Sequence, residues 1–101
     1  MSNTELWQDW KNFESWKLVV WYLMASYCYY CLDKTIMPDA DFDGICLRLL
    51  KEFDNIEHRH KYLIDKSALE AGTGFHIKED EYPGIVKGAA NLILSSLGKG
   101  K

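Results

Sequence analysis

The sequence predicts an all-α protein, a small helical domain built on an antiparallel helix pair plus a C-terminal helix. Apolar residues recur at three- and four-residue spacing along most of the chain. Pro38 and Pro83 stand at the start of two such stretches, and Gly72 and Gly98 follow the ends of others. Because 101 residues suffice for one core but not two, we expect residues 1–97 to form a single domain and residues 98–101 to be a disordered tail.

The first third of the chain is expected to be helical. Ser2 followed by Glu5 resembles a capping box, and apolar residues then recur at helical spacing from Leu6 to Trp16. Residues 16–32 are nearly all apolar, which predicts a buried central helix after a bend near residues 12–15.

The tryptophans are concentrated in this first third. They are Trp7, Trp10, Trp16 and Trp21. Aromatic side chains at helical spacing usually build a core, but four within fifteen positions exceed what one face of one helix buries in so small a domain. We therefore expect Trp7 and Trp10 to lie outside the core, in an interface with a protein partner or with a second copy of the chain.

A second helix is predicted from residue 39 to about residue 53. Residues 33–37 interrupt the apolar pattern, Pro38 ends the interruption, and Asp39 is suited to the N-cap position. The apolar residues that follow share one face: Phe42, Ile45, Cys46, Leu49, Leu50 and Phe53. The short connection predicts that this helix packs antiparallel to the central one.

The remainder is predicted as a short helical piece at residues 61–69, a loop at residues 72–82 and a last helix. Within the loop, residues 75–78 could form a strand-like stretch, and the acidic run at residues 79–81 is typical of a solvated turn. Pro83 suits the first position of the last helix.

Charge and hydropathy exclude several classes of protein. A net charge of −3 without a large basic cluster argues against autonomous nucleic-acid binding. No run approaches the roughly 18 apolar residues of a membrane-spanning helix, and acidic residues lie where a secretory signal would be basic, so a cytoplasmic protein is expected.

Metal and thiol chemistry have little support in the sequence. Candidate zinc ligands are Cys28, Cys31, Cys46, His58 and His60. Zinc sites normally use two closely spaced pairs presented from turns, whereas the one C-x-x-C pair lies in a helical stretch. No metal is therefore expected, and no local signature of a cysteine nucleophile accompanies any of the three thiols.

Residues 14–64 resemble the small N-terminal domain, called Ia, of NAD-dependent DNA ligases. The resemblance rests on Tyr-Cys-Tyr-Tyr-Cys-Leu-Asp at residues 27–33 followed by Met-Pro-Asp-Ala-Asp-Phe-Asp at residues 37–43. In that family one helix ends in a Tyr-His pair and the next begins Pro-Asp-Ala-Glu-Tyr-Asp. The spacing between the two halves is the same here.

This resemblance implies a binding site for the nicotinamide mononucleotide half of NAD. The matching positions are Tyr29, Tyr30, Asp39, Phe42 and Asp43. Tyr30 stands where the family has His, and Phe42 stands where it has Tyr, so two polar groups of the family site differ. The expected cofactor is NAD or nicotinamide mononucleotide.

Catalysis by the chain alone is not expected. The ligase family transfers the adenylyl group to the lysine of a Lys-x-Asp-Gly motif on a much larger domain, and Lys78-Glu79-Asp80-Glu81 lacks the glycine. The sequence thus predicts a non-catalytic module that binds a nicotinamide nucleotide or a protein partner. The alternatives are a phage-type interaction or inhibitor protein that reuses the helical scaffold, and a subunit of a split NAD-dependent DNA ligase.

Overall fold

Four α-helices and four short 3-10 helices make up the described part of the chain, which in this computed structural model is residues 7–74 and 76–98. The α-helices are α1 (Ser15–Cys31), α2 (Asp39–Lys51), α3 (Lys66–Ala71) and α4 (Gly84–Gly98). The described residues contain no strand, so the all-α prediction is confirmed. The strand-like stretch expected at residues 75–78 is wrong for residues 76–78, where Ile77 N–H instead closes a turn onto the Gly74 carbonyl.

Helix α1 is the centre of the molecule. Its residues 18, 19 and 21–28 are all buried, because α2 packs on it from one side and α4 from another. The observed bounds differ from the predicted helix at residues 16–32 by one residue at each end. The expected bend is also present, since a 3-10 helix at Trp7–Asn12 ends before α1 begins.

The chain reverses between α1 and α2 through a backbone conformation that few residues adopt. Asp33 has a positive φ of 57°, and Lys34 N–H donates to the Cys28 carbonyl at 2.9 Å. Asp is among the residues that tolerate this left-handed region. The reversal returns α2 alongside α1 as the predicted antiparallel pair.

Pro38, and not Asp39, occupies the N-cap position of α2. The Pro38 carbonyl accepts hydrogen bonds from the N–H groups of Asp41 and Phe42, both at 3.1 Å, and no side chain caps the helix. The predicted capping role of Asp39 is therefore wrong: its side chain is exposed at the first position of the helix. The same geometry recurs at α4, where the Pro83 carbonyl accepts from Val86 and Lys87, so Pro83 precedes the helix rather than beginning it.

The region after α2 is helical in short pieces. The predicted piece at residues 61–69 is divided into a 3-10 helix at Lys61–Leu63 and α3, which is capped by Asp65 through a 3.1 Å bond to Ala68 N–H. Gly72, with φ of 71°, ends α3 as predicted. The acidic run Glu79–Glu81 forms a 3-10 helix with exposed side chains.

Trp10 is buried, which contradicts its predicted place in an exposed interface. It is 9% exposed, and its indole Nε1 donates to Asp41 Oδ1 at 2.9 Å. Gly44 makes room for the ring, since a Cβ there would overlap the indole. Trp16 is the exposed tryptophan among the described side chains, at 47%.

Some predictions concern parts of the chain outside the described residues. They are the capping box of Ser2 and Glu5, the helical role of Leu6, the side chain of Trp7, the position of Phe75 and the tail beyond Gly98. Gly98 itself, predicted to begin the tail, is the last residue of α4. Among the described residues, no helix is both long and apolar enough to span a bilayer.

Candidate functional site

A cleft of about 210 Å³ lies where the end of α1, the α1–α2 connection and the start of α2 meet. Gly72, at the end of α3, completes its rim. The described residues that line it are Ala25, Tyr29, Tyr30, Thr35, Ile36, Met37, Asp39, Phe42, Asp43 and Gly72. The volume is below the roughly 300–1,000 Å³ typical of sites that enclose a drug-sized ligand. The cleft can therefore enclose one ring or head group and leaves the rest of a larger ligand outside.

All five residues predicted from the ligase resemblance line this cleft. Tyr29 and Tyr30 come from the last turn of α1, and Asp39, Phe42 and Asp43 come from the first turns of α2. The reversal at Asp33 brings the two helix ends together. Their place in one cleft is thus a property of the fold, whereas their role in binding stays a prediction.

Aromatic rings form two sides of the cleft. Tyr29 and Tyr30 are 53% and 39% exposed, and their rings are nearly perpendicular, with centroids 4.8 Å apart. Phe42 stacks on Tyr22, with centroids 5.6 Å apart and planes inclined by 13°. Because Tyr22 is fully buried, this stack anchors Phe42 to the core and fixes the position of its ring in the cleft wall.

Two carboxylates form the polar side of the cleft. Asp39 and Asp43 lie four residues apart on α2, so they share one face of the helix, and both are exposed. Neither is used in helix capping, and no ion pair among the described residues involves them. The positive end of the α2 dipole stabilises negative charge at Asp39, in the first turn of the helix. Both carboxylates are therefore available to a ligand.

Gly72 is part of the cleft that the sequence did not reveal. A Cβ at this position would lie 2.7 Å from Asp43 Oδ1 and would displace that carboxylate, and the φ of 71° itself favours glycine. In the sequence Gly72 signals only the end of a helix. The buried floor, formed by Ile36 and Met37, was likewise predicted only as a turn.

The cysteines do not have the properties of nucleophiles. Burial raises the pKa of Cys28 to about 11 and that of Cys46 to about 12, so both are neutral thiols near neutral pH. Burial also raises the pKa of the partly exposed Cys31. The described residues include no cluster of three His, Cys, Asp or Glu side chains that could hold a metal ion.

The histidines lie away from the cleft. His58 and His60 are neighbours with ring centroids 5.3 Å apart, and partial burial lowers the pKa of each. The exposed His76 places its Nε2 2.8 Å from the Leu63 carbonyl. That contact ties the loop after α3 to the 3-10 helix before it.

The described lining of the cleft is mainly aromatic and acidic. It combines the rings of Tyr29, Tyr30 and Phe42 with the carboxylates of Asp39 and Asp43, and it contains no histidine, cysteine or lysine. No protein-family model matches the sequence, and no solved structure matches the fold.

Proposed function

We propose that this chain is a non-catalytic binding module whose cleft takes the nicotinamide end of NAD or nicotinamide mononucleotide. The observation that carries the proposal is the convergence of Tyr29, Tyr30, Asp39, Phe42 and Asp43 on one cleft. The resemblance to domain Ia of NAD-dependent DNA ligases, drawn from the same residues, supports this choice of ligand.

Each group in the cleft suits one part of such a nucleotide. The rings of Tyr29, Tyr30 and Phe42 can pack against the nicotinamide ring, and the carboxylates of Asp39 and Asp43 can accept hydrogen bonds from ribose hydroxyls. The small volume encloses the ring and leaves the phosphate in solvent. The module would then present or sequester the nucleotide, either alone or as the detached subunit of a split ligase.

Binding is expected to be weak. Tyr30 and Phe42 replace an imidazole and a phenol of the related family, and each lost polar partner costs on the order of 1 to 3 kcal/mol. A small, open site with so few polar contacts should give a Kd between roughly 100 μM and 1 mM, which is about −4 to −5.5 kcal/mol.

Titration calorimetry or NMR with nicotinamide mononucleotide, NAD and ADP-ribose tests the proposal. Both nicotinamide nucleotides should bind, and Asp39→Asn and Asp43→Asn should weaken them at least threefold without unfolding the chain, because neither carboxylate caps the helix. Asp54→Asn is the control: Asp54 follows the opposite end of α2 and its side chain is 86% exposed. Absence of binding at millimolar nucleotide would refute the proposal.

An interaction protein is the second candidate function. Trp10 no longer supports it, but Trp16 leaves nearly half of its surface exposed at the start of α1. Exposed tryptophans are common in the central contacts of protein interfaces. A blank nucleotide titration would make this candidate the preferred one, with Trp16 in place of Trp10 in the interface.

A further inference from the structure

The charge of the cleft is one-sided. Its described lining contains the carboxylates of Asp39 and Asp43 but no lysine, arginine or histidine. A site built for phosphate would need cationic side chains or free backbone N–H groups. The first turn of α2, where free backbone N–H groups lie, instead carries the acidic side chains of Asp39 and Asp41, which repel an anion.

The aromatic rings complement the carboxylates. Tyr29 and Tyr30 meet almost at right angles, at 89°, so they form a corner of two differently oriented rings rather than a flat stack. Phe42 adds a third ring, held by Tyr22 behind it. Ring faces attract cations, and sites that combine several rings with an acidic group are typical of quaternary ammonium recognition.

The size of the cleft limits which cation can enter. A bare metal ion needs several oxygen ligands that converge on one point. Here the two carboxylates line the cleft together with three aromatic rings, which are poor ligands for such an ion. About 210 Å³ accommodates a bulky, weakly hydrated head group. Such groups lose little hydration on entry and still gain from both the rings and the carboxylates.

We propose that the cleft recognises an organic cation with a fixed positive charge, either an N-alkylated pyridinium or a quaternary ammonium, and that it needs no phosphate or ribose to do so. This rests on the proposed function, because the oxidised nicotinamide ring is one such cation. It extends that function to phosphate-free ligands and predicts rejection of uncharged analogues of the same shape.

Two matched pairs of probes test the proposal by NMR titration of the wild-type chain. The first is 1-methylnicotinamide against uncharged nicotinamide, and the second is choline against its uncharged carbon isostere 3,3-dimethylbutanol. The cation of at least one pair should bind at least tenfold more tightly than its neutral partner. The pair that responds identifies pyridinium or ammonium as the preferred source of the charge.

Variants show whether the preference comes from this cleft. The double variant Asp39→Asn with Asp43→Asn keeps the shape and removes the charge, so the tenfold preference should disappear. Tyr29→Leu should weaken both cations while keeping the fold, since this ring is half exposed. Asp54→Asn, outside the cleft, should leave the preference unchanged.

The outcomes separate this inference from the proposed function. If nicotinamide mononucleotide binds but neither 1-methylnicotinamide nor choline binds more tightly than its neutral partner, the charge preference is wrong and the nucleotide function stands. Binding of the cations without binding of nicotinamide mononucleotide would support the preference and refute the nucleotide function. If neither cation binds more tightly than its neutral partner, the inference is overturned whatever the nucleotides do.

Discussion

Gly44 lies in the middle of α2, where the helix meets the indole ring of Trp10. An alanine in a helix interior is normally more stable than a glycine by about 0.5–1 kcal/mol. Here the added Cβ would overlap the ring, which is buried and held by its hydrogen bond to Asp41. Gly44→Ala should therefore destabilise the fold by about 1–3 kcal/mol, measured as the free energy of unfolding in urea.

Gly88 is the matched control for this prediction. It lies in α4, and a Cβ added to it would meet no atom within 4 Å, so Gly88→Ala should stabilise the fold by about 0.5–1 kcal/mol. If both substitutions stabilise the chain equally, Trp10 does not pack against Gly44 as described.

Arg48 connects two elements that are far apart in sequence. One guanidinium nitrogen, Nη1, donates to the carbonyls of Trp10, Lys11 and Phe13 at 3.1–3.2 Å. Nε and Nη2 donate to Glu52 at 3.1 and 2.7 Å, which orients the group. The side chain thus satisfies carbonyls at the end of the first 3-10 helix and holds that segment on α2.

Replacement of Arg48 by Lys should release this segment, because a single ammonium cannot both reach the carbonyls and pair with Glu52. We expect a loss of about 1–3 kcal/mol in the free energy of unfolding and faster hydrogen exchange at residues 10–13. Glu52→Gln, which removes only a partly exposed ion pair, should cost less than about 1 kcal/mol. Unchanged exchange in Arg48→Lys would show that backbone contacts alone hold the segment.

At the scale of the whole molecule, the buried thiols make stability sensitive to alkali. Burial raises the pKa of Cys46 from 9.0 to about 12 and that of Cys28 from 9.0 to about 11, and it also raises the pKa values of Tyr22 and Tyr82. The unfolded chain therefore loses these protons at lower pH than the folded chain does. The contribution of the two thiols to stability is complete below pH 9 and is lost as the pH rises toward 11–12.

The free energy of unfolding, measured under reducing conditions, should thus fall above pH 9 by up to about 1.4 kcal/mol per pH unit for each of the two thiols. Cys46→Ala should make this decline less steep. Ile45→Val, a neighbouring buried residue that does not titrate, should lower stability at every pH and leave the slope unchanged. An identical slope in wild type and Cys46→Ala would contradict the assignment.

Local sequence patterns determined most of the helices. Apolar spacing predicted α1 to within one residue at each end, and Pro38, Gly72 and Pro83 marked where elements change. These signals are local, because proline fixes its own φ and glycine allows a positive φ, whatever either residue packs against. The resemblance to the ligase domain named five further residues from the sequence, and all of them lie at two helix ends joined by a short connection.

The tertiary structure alone decided which side chains are buried and what completes the cleft. Trp10 is in the core because of two residues more than thirty positions away. Asp41 accepts a hydrogen bond from its indole N–H, and Gly44 leaves room for its ring. Gly72 forms the rim because α3 packs on α2 and brings it beside Asp43. Spacing within one helix defines a face of that helix, but it does not specify the partner that covers the face, since that depends on how distant elements pack together.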